Sequence, residues 1–237
     1  MARDGFFRYG EKEIAYLKGK DKKLAAAMDL IGPVERPVDS DLFESLIDSV
    51  VGQQISTKAH ITIRERMARR FGPFTPEIVA GISAEDLQAC GITMKKAVYI
   101  KEIAEEVLAG RLDLEKLPTL SDAEVAAALT RLRGIGIWTA EMLMIFCLQR
   151  PDILSYDDLA IRRGLRMLYG RREITKEFFE RCRKRYSPHG SVASLYLWAV
   201  ASGRYAEYSD PAQKAKESPA AGKKTPGEKK THRKEKS

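Results

Sequence analysis

The amino-acid sequence predicts an all-α protein. Apolar residues recur at helical spacing in almost every segment before residue 209, and helix-start and helix-stop residues bound these segments. No segment alternates apolar and polar residues over the length of a strand, and no Asn-Gly hairpin turn occurs. We therefore expect roughly ten helices joined by loops of a few residues.

The first clear helix is predicted over residues 41–54, DLFESLIDSVVGQQ. Its apolar residues lie on one stripe, and Asp41 and Glu44 have the spacing of a reciprocal capping box. A second helix is predicted from about 57 to 71, and it ends at Gly72. Both helices have a core-facing side.

Further helices are predicted along the rest of the chain. In order, they lie in TPEIVAG, SAEDLQAC, TMKKAVYIKEIAEEVLAG, SDAEVAAALTRL, LAIRRGLRMLYG, TKEFFERCRKRY and SVASLYLWAVASG. Ser121 and Glu124 form a second predicted capping box, and Gly110 ends the helix before them.

The formal charge of +8 is unevenly distributed. Residues 211–237 hold nine lysine and arginine residues and three glutamates, which leaves 32 basic and 30 acidic residues in a nearly neutral body. Because the end of the chain is rich in Lys, Pro, Ala and Gly and has no large apolar residue, we expect a disordered basic tail over 209–237. The tail could attract phosphates weakly or act only as a solubilising appendage.

Other features exclude several classes of protein. No apolar run approaches the roughly 20 residues of a membrane span, and the start of the chain lacks the apolar segment of a signal peptide, so a cytoplasmic protein is expected. Cys90, Cys147 and Cys182 are far apart without CxxC spacing, which supports neither a disulfide framework nor a metal or iron–sulfur site. We expect free thiols and no bound metal.

The turn from Leu132 to Thr139 contains Gly134 and Gly136, which give the backbone freedom for a tight reversal. Without side chains there, the amides at the start of the next helix are accessible, and such a helix N-terminus can bind a phosphate without basic side chains. A simple helical hairpin needs the same two glycines. The longer pattern, L-x-G-I-G-x-W-T-A, is more specific.

This pattern, with SDAEVAAALTRL before it and an aspartate ahead of the next helix, resembles the helix-hairpin-helix DNA glycosylases. Specifically, it is similar to the 3-methyladenine branch, which removes alkylated purines. SLIDSVVGQQISTKAHITIRERM resembles that family's first long helix and DNA-inserting turn, GITMKKAVYIKEIAEEV the segment before the hairpin, and SPHGSVASLYLWAV the closing helix. The resemblance covers roughly residues 5–205.

The resemblance implies a two-lobed fold with the active site in the cleft between the lobes. Residues 1–38 would pack with a C-terminal lobe of residues 157–208. Residues 39–156 would form a central lobe that contains the helix-hairpin-helix at about 122–149.

The same resemblance identifies Asp158, the second aspartate of SYDDLAIRRG, as the catalytic residue. Departure of a purine develops oxocarbenium character on the sugar, which a carboxylate stabilises, and helix-end amides favour the ionised form that this requires. A purine alkylated at N3 or N7 already carries positive charge and leaves readily. From the residues alone, Asp158 could instead only cap the helix that begins at Leu159. Asp157 is expected either to support the catalytic residue from behind or to be structural.

Trp138, Met142 and His189 are implied to line the base pocket. The first two are four residues apart on one helical face, where an electron-rich indole can stack on a cationic base, although Trp138 could also be a core residue. Strand-cutting relatives have a lysine at the position of Trp138, so base release without strand cleavage is expected. His189 and Gly190 stand where the relatives usually have an aromatic residue and an arginine, and His189 could be a plain exposed histidine.

Gln54, in GQQIS, matches the residue that the family inserts into the duplex to fill the gap left by the extruded nucleotide. Gln53 and Gln54 could also be ordinary polar turn residues, with Gln53 satisfying buried backbone groups. Lys95 and Lys96 could contact phosphates or belong to a solvated helix face.

The sequence therefore predicts a monofunctional DNA glycosylase that flips an alkylated purine from duplex DNA, hydrolyses its N-glycosidic bond and leaves an abasic site. Gly134, Gly136 and Thr139 would form the phosphate-binding hairpin. No cofactor is required, although the family allows a monovalent cation at the hairpin carbonyls. A monomer that binds damaged duplex DNA is expected. Two rivals stay open: a non-catalytic hairpin protein that binds DNA, and a glycosylase of the same fold for oxidised or mismatched bases.

Overall fold

A computed structural model of the chain describes residues 5–213. Between residues 5 and 201 there are twelve α-helices and one short 3₁₀ helix, and residues 211–213 are also helical. The only strand-like feature of the described residues is an isolated bridge between Phe6 and Pro37. The predicted all-α class is confirmed. In the same range, each helix is too short or too polar to span a membrane.

The helices follow one another with short connections, and two of them, α1 and α2, lie in the N-terminal segment beyond the ten that the sequence patterns predict. The bounds are α1 Glu11–Lys20, α2 Lys22–Ile31, α3 Leu42–Gly52, α4 Thr57–Phe71, α5 Pro76–Gly81, α6 Ala84–Gln88, α7 Met94–Leu108, the 3₁₀ helix Leu117–Thr119, α8 Asp122–Thr130, α9 Ile137–Phe146, α10 Leu159–Tyr169, α11 Lys176–Tyr186 and α12 Gly190–Ala201.

Side-chain caps fix the starts of many of these helices. The capping box of α8 is present in both directions, because Ser121 Oγ accepts the N–H of Glu124 and the Glu124 carboxylate accepts the N–H of Ser121. The predicted box of α3 is only half formed. Asp41 accepts the N–H of Glu44 at 2.8 Å, but the Glu44 carboxylate is engaged by Arg64 on α4 instead.

The helices pack in two groups. In the first group, α10 packs against α12, and both contact α2, while α1 contacts α2, α11 and α12. In the second group, α7 packs against α3, α5 and α6, and α9 packs against α3 and α8. Fully buried apolar side chains fill both groups, for example Leu24 and Leu165 in the first and Ile47 and Ile100 in the second. This packing is consistent with a two-lobed fold.

Gly164 of α10 packs directly against the backbone of α12. A Cβ atom there would lie 2.3 Å from the carbonyl oxygen of Leu197, so the crossing requires glycine. The close contact positions the start of α10, where Asp158 lies, relative to α12.

Ordered structure continues past the tail boundary predicted at residue 209. Asp210 is 5% exposed and accepts hydrogen bonds from Arg166 of α10 at 3.0 and 2.6 Å. This bidentate pair attaches the segment to the first helix group, and the Arg166 hydrogen bonds lower the pKa of Asp210. The boundary at 209 is therefore placed too early. The rest of the predicted tail, residues 214–237, lies outside the described residues.

Candidate active site

The turn between α8 and α9 contains the two predicted glycines, which have different roles. Gly134 has φ +88°, and a Cβ atom there would lie 2.5 Å from Cδ2 of Tyr99, so the backbone conformation and the packing both require glycine. Gly136 precedes α9 without a side-chain cap, and open space surrounds the place of its missing Cβ. No side chain at this position obstructs the first amides of α9, as phosphate binding requires.

Asp158 is the N-cap residue of α10 and is 6% exposed. Its Oδ1 accepts the N–H of Ile161 at 2.8 Å, and its Oδ2 accepts the Nε1–H of Trp138 at 2.8 Å. Asp158 therefore does cap the helix, but with one oxygen only. The second oxygen accepts the hydrogen bond from Trp138, and this bond joins α9 to α10.

A cleft of about 1190 Å³ lies between α3 and α9. Trp138 and Met142, one turn apart on α9, line it together with Thr139, and Gln54 lines it from the turn after α3. The side of α3 and α4 adds the polar residues Ser45, Asp48, Ser49 and His60. Gly134 lines it as well, so the structure brings five of the predicted site residues to one cleft. Asp158 is not in the lining but is hydrogen bonded to the tryptophan in the cleft wall.

An aromatic pair at the end of the cleft was missed by the sequence interpretation. Phe146 lines the cleft, and Trp198 of α12 stacks on it with ring centroids 5.6 Å apart and planes inclined by 27°. The guanidinium carbon of Arg36 lies 5.5 Å from both ring centroids. The aromatic residues in SLYLWAV were the available signal, but a buried core helix has the same pattern.

His189 is not among the residues that line this cleft, which differs from the prediction. It is the N-cap residue of α12, and its ring packs edge-on against Tyr16 of α1 with centroids 4.9 Å apart. The next residue, Gly190, donates its N–H to Asp152 at 3.0 Å, and a Cβ there would lie 2.8 Å from the same carboxylate. The geometry therefore joins α12 to α1 here and leaves little space for a larger residue at position 190.

Two of the polar residues near Gln54 bind the backbone. Lys96 Nζ donates to the carbonyls of Val51 at 2.9 Å and Gln53 at 2.6 Å, a role that the sequence interpretation did not include. Gln53 Nε2 donates to the carbonyl of Gly134 at 2.7 Å, which confirms the interpretation that Gln53 satisfies a backbone group. Lys95 lines the cleft.

Comparison with known families identifies the fold. Residues 47–188 match the model of the HhH-GPD superfamily of base excision DNA repair proteins, where HhH denotes the helix-hairpin-helix. The chain belongs to this superfamily. DNA-3-methyladenine glycosylase 1 of Schizosaccharomyces pombe is 34% identical over 209 residues, which cover 85% of this chain and 91% of that protein.

Two solved structures are similar over most of the chain. The DNA-3-methyladenine glycosidase of Bacillus halodurans has a TM-score of 0.77 at 35% identity and covers 83% of this chain and 92% of its own. A 3-methyladenine DNA glycosylase of Schizosaccharomyces pombe, in complex with abasic DNA, has a TM-score of 0.72 at 33% identity. The match covers 84% of this chain and 99% of that chain.

In this HhH-GPD protein, Asp158 forms no ion pair within the described residues. Among residues 5–213, no lysine, arginine or histidine forms an ion pair with Asp158. Glu141 lies one turn after Trp138 on α9, and burial raises its pKa, with further increases from the charges of Asp157 and Asp158. Among the described residues, Asp158 therefore has hydrogen-bond donors but no direct cationic partner.

The HhH-GPD hairpin also presents neutral oxygen atoms. The carbonyls of Leu132, Gly134 and Gly136 each accept one hydrogen bond, from Ile135 N, Gln53 Nε2 and Ala140 N respectively. Each carbonyl keeps a second lone pair, and oxygen ligands suit a hard monovalent cation, so the residues fit such an ion. In the part of the chain that the structure describes, no cluster of His, Cys, Asp or Glu could hold a metal.

The cysteines provide no activated nucleophile at this site. All three are free thiols, and burial raises the pKa of Cys147, which lines the cleft, to about 11. A thiol with so high a pKa is protonated at neutral pH and therefore a weak nucleophile.

Proposed function

We propose that this HhH-GPD protein is a monofunctional DNA glycosylase for alkylated purines of the 3-methyladenine type. In the reaction, the damaged purine is extruded from duplex DNA into the cleft, its N-glycosidic bond is hydrolysed, and a free base and an abasic site are the products. The similarity to DNA-3-methyladenine glycosylase 1, and to a glycosylase structure with abasic DNA, supports this substrate class. The observation that carries the proposal is the hydrogen bond from Trp138 to Asp158.

Asp158 supplies the chemistry. Departure of the purine leaves positive charge on the sugar, and an ionised carboxylate stabilises that charge or activates the attacking water. The indole N–H of Trp138 is a neutral donor, so it orients Oδ2 without cancelling the negative charge. A cationic alkylated purine leaves without a second acid, and one carboxylate is sufficient.

Trp138 affects both whether the DNA strand is cut and which base is bound. It occupies the position at which strand-cutting relatives have a lysine, and an indole cannot form a Schiff base with the sugar, so the strand stays intact. Its side chain lines the cleft with Met142 and Phe146 and is 46% exposed there. Stacking of a cationic base on the indole contributes on the order of 0.5 to 2 kcal/mol, which favours alkylated over normal purines.

The hairpin and the turn after α3 bind the DNA. The amides that follow Gly136 receive a phosphate, Gly134 and Thr139 shape the turn, and Gln54 fills the gap that the extruded nucleotide leaves. The protein acts as a monomer on damaged duplex DNA in the cytoplasm and requires no cofactor, and a monovalent cation at the hairpin carbonyls would support the phosphate contact.

The test is release of free base from methylated duplex DNA by the wild-type protein and by Asp158→Asn, with strand breaks scored before and after alkali. We expect release that depends on Asp158 and breaks that appear only after alkali. Breaks without alkali would contradict the assignment of Trp138, and undiminished release by the variant would exclude Asp158 as the catalytic residue.

A panel of other duplexes separates the rival functions. Release of 8-oxoguanine or a mismatched base, without release of methylated purines, would identify a glycosylase of different specificity. Tight binding of all duplexes without release of any base would identify a non-catalytic DNA-binding protein.

A further inference from the structure

The turn that carries Gln54 has an unfavourable backbone conformation. Helix α3 ends at Gly52, Gln53 is its C-cap, and Gln54 has φ +54°, in the left-handed region that side chains with a Cβ seldom adopt. Within residues 5–213, Gln149 is the only other non-glycine residue with positive φ. A turn of this kind persists only when its surroundings hold it in place.

Lys96 of α7 supplies one of these contacts. Its Nζ donates to the carbonyls of Val51 and Gln53 at 2.9 and 2.6 Å, in the last turn and C-cap of α3, where the helix itself leaves carbonyls without partners. A cation also interacts favourably with the negative end of the helix dipole. Burial lowers the pKa of Lys96, as expected for an ammonium withdrawn from water.

A second set of contacts joins the same turn to the hairpin. Gln53 Nε2 donates to the carbonyl of Gly134 at 2.7 Å, and Tyr99, one turn after Lys96 on α7, packs against the backbone of Gly134. Helix α7 thus contacts both DNA-facing turns, one through Lys96 and the other through Tyr99. Because both contacts come from α7, this helix holds the two turns at a fixed distance from each other.

We propose that Lys96 is a positioning residue for base extrusion, which holds Gln54 at a fixed distance from the hairpin by binding the two carbonyls at the end of α3. This inference rests on the proposed function. Lys96 acts through the backbone of Val51 and Gln53 and makes no contact with the base. When the hairpin is on the DNA backbone, the turn is already in place to enter the duplex, so less ordering is needed on binding.

Lys101 provides a matched control on the same helix. Its Nζ donates to the carbonyls of Ala80 at 2.8 Å and Ile82 at 2.6 Å, in the last turn and C-cap of α5, so it makes the same kind of contact as Lys96. Neither of these carbonyls belongs to a residue that lines the cleft. Lys101→Met removes an equivalent structural contact away from the DNA-facing turns.

The experiment compares single-turnover base release from duplexes in which 7-methylguanine faces cytosine or thymine. A mispaired base costs less to extrude, so a defect in extrusion is smaller on the mispaired duplex. We expect Lys96→Met to slow release about tenfold opposite cytosine and less than about threefold opposite thymine. Lys101→Met slows both equally or neither, and Lys96→Arg, which keeps the charge and donors, restores most of the rate on the paired duplex.

A binding measurement keeps the inference separate from the proposed function. The ratio of affinities for a duplex with a tetrahydrofuran abasic analogue and for an intact duplex should fall in Lys96→Met and stay unchanged in Lys101→Met. The milder Lys96→Gln is measured alongside, so that the test stands if Lys96→Met does not fold. Equal slowing on paired and mispaired duplexes, or an unchanged affinity ratio, would overturn the role of Lys96. If the wild type releases no base, the proposed function fails, and the affinity ratio alone decides on Lys96.

Discussion

Two buried aspartates cap helices in different regions of the molecule, and their carboxylates have different hydrogen-bond and ion-pair partners. Asp21 caps α2 and Asp158 caps α10, each is 6% exposed, and each accepts backbone N–H groups of its own helix. Asp21 also accepts hydrogen bonds from Arg185 at 2.6 Å, from Tyr169 and from Tyr186 at 3.4 Å. For Asp158, the described residues provide a single further donor, the neutral indole of α9.

The difference separates a structural carboxylate from the one that we propose to be catalytic. Burial alone would raise the pKa of Asp21, but the hydrogen bonds from Tyr169 and Arg185 hold it below its usual value, and the charge is used to join α2 to α10 and α11. Within the described residues, Asp158 forms no such ion pair, and its second oxygen accepts only the indole N–H of Trp138. A buried carboxylate next to a cleft, without a cation, is a site at which a positive charge on a substrate would be stabilised.

The strongest effect is expected for Asp158→Asn. We expect base release to fall at least about 100-fold, because the uncompensated charge is lost where the sugar becomes positive. The protein should still fold, since asparagine caps a helix about as well as aspartate, but the Tm should fall modestly because the single amide oxygen cannot accept from both Ile161 and Trp138. Single-turnover release and the Tm from calorimetry measure the two quantities. A variant that loses activity only because it unfolds would contradict the assignment.

Asp21→Asn should show the reverse pattern. Arg185 and the two phenols lose their shared carboxylate, so we expect the free energy of unfolding to fall by about 2 to 3 kcal/mol. Base release measured well below the Tm should stay close to that of the wild type. Urea titration gives the stability. If Asp21→Asn abolished release while remaining folded, the two aspartates would not divide into structural and reactive roles.

Trp138→Phe tests whether the single neutral donor matters to Asp158. The hydrogen bond at 2.8 Å is lost while an aromatic face stays in the cleft. We expect release to slow about tenfold, which corresponds to about 1 to 1.5 kcal/mol. In the Asp158→Asn background the same change should have a much smaller effect, because the two residues act together. Equal losses in both backgrounds would show that Trp138 acts on the base alone.

Elements with local start and stop signals were predicted well from the sequence. Helix α4 runs over Thr57–Phe71, as predicted, because Ser56 caps its first turn and Gly72 takes the positive φ that ends it. The reciprocal capping box predicted for Asp41 and Glu44 was only half correct. The reason is non-local, because the Glu44 carboxylate pairs with Arg64 on the next helix. Local signals determine where helices begin, but they do not determine which side chains meet.

The same limit applies to the candidate site. Trp138 and Met142 share a helical face, so their common place in the cleft follows from their spacing. The contacts of Trp198 with Phe146, and of His189 with Tyr16, join elements far apart in the chain. Such pairs depend on how the helix groups pack, which no local pattern of one sequence specifies.

The carboxyl groups near Asp158 lead to a weaker, pH-dependent prediction. Because the pKa of Glu141 is raised in the folded protein, mainly by burial, the folded state binds its proton more tightly than the unfolded state does. The wild type therefore loses stability as the pH rises from the unfolded pKa of a glutamate, about 4.3, to the raised folded value. No equivalent loss is expected for Asp21, because hydrogen bonds from Tyr169 and Arg185 outweigh burial and lower its pKa instead.

Glu141→Gln should remove this loss, since the amide stays neutral at every pH. We expect the variant and the wild type to have similar Tm values below about pH 4 and the variant to become the more stable protein as the pH rises toward 7. The exposed Glu105→Gln on α7 is the control, and it should show no such divergence. Because the charge of Asp158 contributes to the raised pKa, the advantage of Glu141→Gln should also be smaller in the Asp158→Asn background. An advantage of the same size in both backgrounds would mean that burial and Asp157 raise the pKa of Glu141 without a contribution from Asp158.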